Sequence, residues 1–178
     1  MLLNLLNQDN KEALETYCDI LLTLRDMLDN NTNKKPHPKN AVINHVISLA
    51  IRKATDSVHR YDYSVSGKKA AQFVSKKSQM STNNTDSLIC EHVIPVACLR
   101  KHILKKWQHW KRDDLRDFLL EYSITAIITK EEDDALKKSG LRQRMPKDIS
   151  DLDPSIDKFA RYNYQDGGGK KIIEVLAR

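Results

Sequence analysis

The chain has 178 residues, 40% of them hydrophobic and 30% charged, with a formal net charge of +6. That length suits one domain, or one core with a helical appendage, and the basic balance favours a polyanionic partner such as nucleic acid. The three cysteines, Cys18, Cys90 and Cys98, form no Cys-x-x-Cys pair, which argues against a zinc ribbon or a disulfide framework. No run reaches the roughly 18 apolar residues of a membrane span, and no basic flank marks the apolar patch at 2–6 as a signal peptide. A cytoplasmic protein with no membrane partner is therefore expected.

Over 10–28, Leu14, Tyr17, Ile20, Leu21, Leu24, Met27 and Leu28 recur at helical spacings and predict an amphipathic helix, with Cys18 packing beside the stripe. The segment 29–40 is polar, rich in Asn and carries two prolines, so it reads as a loop. Pro38 suits the first turn of a second helix running to about 58. There Val42, Val46, Leu49 and Ala50 form one face with Ile43, Ile47 and Ile51 beside it, which predicts a broadly buried helix; His45 lies off that face and reads as structural or solvated. A third helix is expected over 68–77 around Ala70, Ala71, Phe73 and Val74, bearing Lys68, Lys69, Lys76 and Lys77 on a soluble or phosphate-contacting face.

A strand follows over 87–93. It ends in Glu91 and His92, and Pro95 then stops the ladder because proline has no N–H to donate. A carboxylate beside a neutral imidazole can divide hydrolytic work, one holding a divalent cation and the other taking a proton from water. The bland alternative is a solvated strand end and turn. The run Leu88-Ile89-Cys90-Glu91-His92-Val93-Ile94-Pro95 resembles the first strand and turn of the His-Me finger, or HNH, nucleases, which often carry an acid-His pair followed by an apolar pair and proline.

From 96 to about 110 the pattern is helical, with Leu99, Ile103 and Trp107 spaced three to four apart. Arg100, Lys101 and Lys105 surround them and, with Trp107 and Trp110, form either a nucleic-acid contact or a wet face around a packed ring. A helix over 113–122 presents Leu115, Phe118, Leu119 and Tyr122, and a β-prone run over 124–128 follows. Thr129 with Glu132 three residues on is a capping box, so the next helix starts directly off that strand.

In the nucleases that this pattern resembles, the helix after the second strand commonly supplies a further metal ligand. Of its four acids here, Glu132 is taken by capping and Glu131 points about 100° away from it, leaving Asp133 as first choice and Asp134 as second. Dipole complementarity alone also accounts for the four acids. Unlike the common pattern, two predicted helices rather than a short loop join the two strands, and no bracing cysteines are present.

Gly140 is expected to end the helix, and Arg142, Arg144, Lys147 and, in a short helix near 154–162, Arg161 are candidate grips for phosphate. Gly167, Gly168 and Gly169 read as a joint before a last strand or helix over 172–176.

The expectation is thus an α+β chain, mostly helical with an embedded ββα-metal nuclease motif, divided into a helical region 1–86 for dimerisation and DNA contact and a nuclease region 87–178. The resemblance implies a metal-dependent DNA endonuclease, restriction-type among other possibilities, with His92 as base, Glu91 and Asp133 as metal ligands, Mg²⁺ or Mn²⁺ as cofactor and double-stranded DNA as substrate. A homodimer would cut both strands. The competing reading is a non-catalytic basic nucleic-acid-binding domain with a regulatory role.

Overall fold

A computed structural model describes residues 7–29, 38–59, 71–80, 87–146, 152, 155–166 and 169–177. The first two helices are α1 (Gln8–Asp29) and α2 (Pro38–His59). A short strand β1 (Phe73–Ser75) runs straight into α3 (Lys76–Met80), and β2 (Leu88–His92) is followed by α4 (Val96–Lys106), a 3-10 turn (Trp107–His109) and α5 (Arg112–Tyr122). Next come β3 (Thr125–Thr129) and α6 (Lys130–Lys138), then α7 (Ala160–Asn163), a two-stranded ribbon of β4 (Gln165–Asp166) and β5 (Lys170–Lys171), and β6 (Val175–Ala177). The architecture is α+β, mostly helical, with one small mixed sheet in the order β2-β3-β1-β6. Among the described residues no helix is long and apolar enough to cross a membrane.

The central strand explains the sheet. All five residues of β3 are buried, as expected of a strand covered on both faces. It pairs antiparallel with β2, setting Glu91 opposite Ala126 and His92 opposite Thr125, and parallel with β1. One further ladder bond, from the Val93 N–H to the Ile124 carbonyl, carries the pairing past His92. Pro95 then ends the strand and its carbonyl accepts from the Cys98 and Leu99 amides, so the same residue starts α4.

Two cores meet at this point. Val93 belongs to the sheet core with Ala126, Ile128, Leu136, Leu141, Tyr162 and Ile173. Its neighbour Ile94 belongs to the helical core, with Leu14, Cys18, Leu21, Ile47, Ile51, Leu99, Ile103 and Leu119. The chain bends at these two residues, so the exit of β2 is the seam between the two cores. Burial pushes the Cys18 thiol up to about 12, in keeping with an inert packing residue.

Three expectations need correcting. The segment around Phe73 and Val74 is a strand and not a helix interior; it gains a parallel partner in β3 and an antiparallel one in β6, and only Lys76–Met80 is helical. Lys68, Lys69 and Ala70 of that expected helix lie outside the described residues. In α2 the buried stripe is Ile43, Ile47, Ala50, Ile51 and Ala54, while Val42 is 63% and Leu49 48% exposed, so the helix is amphipathic rather than broadly buried. The division at 86/87 does not follow the packing either, because α1 and α2 share one core with α4 and α5, and β1 lies inside the sheet.

A chain beginning at residue 87 should therefore lack a folded core. We expect collapsed amide dispersion in its NMR spectrum and no cooperative thermal transition, whereas the full chain melts cooperatively; a well-dispersed, cooperatively melting fragment would overturn the shared-core account.

Candidate functional site

The end of β2 is held by a buried arginine. Arg161, from α7, is 0% exposed, and all five of its N–H donors have protein acceptors. Its Nε donates to the Val93 carbonyl at 2.7 Å. One terminal nitrogen donates to the Leu141 and Arg142 carbonyls at 3.2 and 3.1 Å. The other donates to Glu91 Oε1 at 2.8 Å and to the His92 carbonyl. Burying a cation costs several kcal/mol unless it is paired and fully hydrogen-bonded, and here both conditions are met. The clamp joins the C-terminal segment to the last three residues before Ile94 and to the turn that leaves α6.

That turn is set up locally. Thr129 caps α6, its hydroxyl accepting from the Glu132 amide at 3.2 Å, while Glu132 Oε2 accepts from the Thr129 amide at 2.9 Å and from the Ser75 hydroxyl at 2.6 Å. The predicted capping box is thus present, and its carboxylate also ties β1 to α6. Gly140 closes the helix at φ +69°, a conformation that an L side chain rarely adopts. The chain turns back there, bringing Arg142 towards Glu91.

Glu91, His92, Arg100 and Arg142 line one cavity of about 480 Å³, together with Ser48, Arg52, Pro95, Val96, Ala97 and Gln143. The predicted base, one predicted ligand and two predicted phosphate grips therefore converge. Arg100 is also braced, donating to the Ser48 hydroxyl at 2.9 Å. Asp133 is buried and reaches this group through an ion pair of 3.1 Å with Arg142; Asp134 is exposed. Lys101 and Lys105 lie exposed on α4, and exposed Arg144 donates back to the Gly140 carbonyl. Arg161 is the exception. It is wholly enclosed and cannot meet a phosphate, because its destination is the protein's own backbone. Trp110 packs inward, with ring centroids 5.0 Å from Phe118 and 5.7 Å from His102. Lys147, Gly167 and Gly168 lie outside the described residues.

Arg52 and Ser48 were missed. Asn44, Ser48 and Arg52 form a polar row at i, i+4 and i+8 on α2, which is visible in the sequence. That the row faces the end of β2 depends on helix packing, which it does not encode locally.

The residues do not assemble a metal centre in this arrangement. Glu91 and Asp133 each face an arginine, and among the described residues no group of three or more His, Cys, Asp or Glu is placed to hold a cation. No family model, curated protein or solved structure matches the chain.

Breaking the clamp from either side should be costly. Arg161→Met leaves Glu91 and four carbonyls without their donor and is expected to lower unfolding free energy by about 3–5 kcal/mol. Glu91→Gln keeps an acceptor but leaves a wholly buried guanidinium without its counter-charge, and should cost about 3–5 kcal/mol as well. Urea denaturation measures both, and a loss under ~1 kcal/mol for Arg161→Met would contradict the clamp.

Proposed function

We propose that the protein is a nucleic-acid phosphodiesterase, an endonuclease of the His-Me finger kind acting on DNA, with its site at the end of β2. The observation that carries the reading is the meeting of His92 with three guanidinium groups, those of Arg52, Arg100 and Arg142, around one cavity. A phosphodiester is anionic and gains charge on attack, so a base beside fixed cations is the arrangement its hydrolysis needs. The order strand, acid-His turn, strand, capped helix supports the same reading.

In this reading the His92 imidazole takes the proton of a water. The resulting hydroxide attacks phosphorus, the bond to the 3′ oxygen breaks, and that oxygen leaves with a proton from solvent. Arg142 and Arg52 balance the charge on the pentacovalent phosphorus. Since Glu91 and Asp133 are paired with arginines, no step is assigned to a metal. The Mg²⁺ or Mn²⁺ requirement implied by the resemblance enters as a variable: EDTA abolishes cleavage if these carboxylates leave their arginines for a cation, and spares it if they do not. Cutting both strands of a duplex needs two sites, and Ile20, Met27, Val42 and Leu49 are exposed apolar groups on α1 and α2 available for pairing two copies.

The arginine pairing of both carboxylates favours a second reading, a basic domain that binds nucleic acid without cutting it. Incubation with supercoiled plasmid separates the two. Cleavage should fall by about 10²–10⁴-fold in His92→Ala with binding kept, and cleavage unchanged in that variant would remove His92 as base. Retardation without any nicking, whatever the divalent cation, would favour the binding domain.

A further inference from the structure

We infer that the cavity at the end of β2 is a phosphate subsite whose far wall is α2, with Arg52 and Arg142 taking one backbone phosphate between them, and that it holds sugar-phosphate rather than a base. The inference deepens the nuclease reading and rests on it for the identity of the ligand. It follows from the lining. Three arginines stand against one carboxylate, Glu91, and that carboxylate already faces Arg161. The excess is cationic.

The arginines are not equivalent. Arg100 has one nitrogen on the Ser48 hydroxyl and the Asn44 carbonyl, and Ser48 in turn donates to the Asn44 carbonyl at 3.0 Å, so Arg100 is a strut between α4 and α2. Arg142 is half exposed and paired with Asp133 on one side. Arg52 is exposed on α2. Arg52 and Arg142 thus line the cavity from two separate elements, α2 and the turn after α6, and guanidinium groups suit the several oxygens of a phosphate.

Among the described residues the apolar lining consists of Pro95, Val96 and Ala97, with no Phe, Tyr or Trp. A pocket for an unstacked base is normally furnished with such a ring. The cationic excess of the described lining favours the sugar-phosphate backbone. The site is also incomplete without α2, so that helix is part of the substrate grip and not only a scaffold.

The test measures binding of a His92→Ala chain to two duplex oligonucleotides of different sequence across a salt series. Adding Arg52→Ala should weaken both about tenfold and lower the slope of log affinity against log salt by about 0.9, the value for one phosphate contact. Arg52→Lys should restore the slope. Lys53→Ala, an equal charge change beside it on α2 where Lys53 faces Asp56, should leave affinity within about twofold and the slope unchanged. Equal effects of Arg52→Ala and Lys53→Ala, an unchanged slope, a loss confined to one sequence, or no duplex binding at all would each overturn the inference. Cleavage is scored separately: no cleavage with the Arg52 effect intact removes hydrolysis alone, and cleavage with a neutral Arg52→Ala removes the subsite alone.

Discussion

The structure depends on one buried cation. Arg161 reaches from a four-residue helix near the end of the described chain to the exit of β2 and to the turn after α6, and it satisfies all its donors there. Two of its acceptors, the carbonyls of His92 and Val93, belong to the residues where the sheet core gives way to the helical core. Each hydrogen bond to a charged group contributes about 1.5–3 kcal/mol, and only a full set offsets the desolvation of a guanidinium. A clamp of this kind is close to all-or-none, so the position of Glu91, His92 and Arg142 is fixed by a residue that touches none of the solvent they face.

This arrangement also redefines Glu91. As the counter-charge of Arg161 it compensates a buried positive charge, and it shares the cavity with His92 and three further arginines. Asp133 stands in the same relation to Arg142. The acids of this region hold and orient cations, and those cations turn a shallow cavity between α2, α4 and the strand end into a place suited to an anion.

Much of this was legible where the signal is local. The strand ending in Glu91 and His92, the capping box at Thr129, the left-handed Gly140 and the existence of β3 each follow from a few neighbouring residues. What escaped is non-local. Phe73, Val74 and Ser75 are too few to set a period of two, and they become a strand because β3 and β6 flank them. Apolar residues occur around most of α2, so the sequence permits several stripes; packing selects the one that continues to Ala54. Arg161 and Arg52 look alike in sequence, yet one is enclosed by backbone carbonyls and the other faces the cavity. Nothing within their own helices distinguishes the two fates.

The central claim is that the nucleic-acid backbone sits at the clamped end of β2. Amide chemical-shift mapping of the full chain with a short DNA duplex tests it most directly. The account predicts shifts grouped at Glu91, His92, Arg142 and Gln143 and, across the cavity, at Ser48 and Arg52. Shifts confined to the Lys170–Lys171 ribbon or to α1, with these amides unmoved, would contradict it.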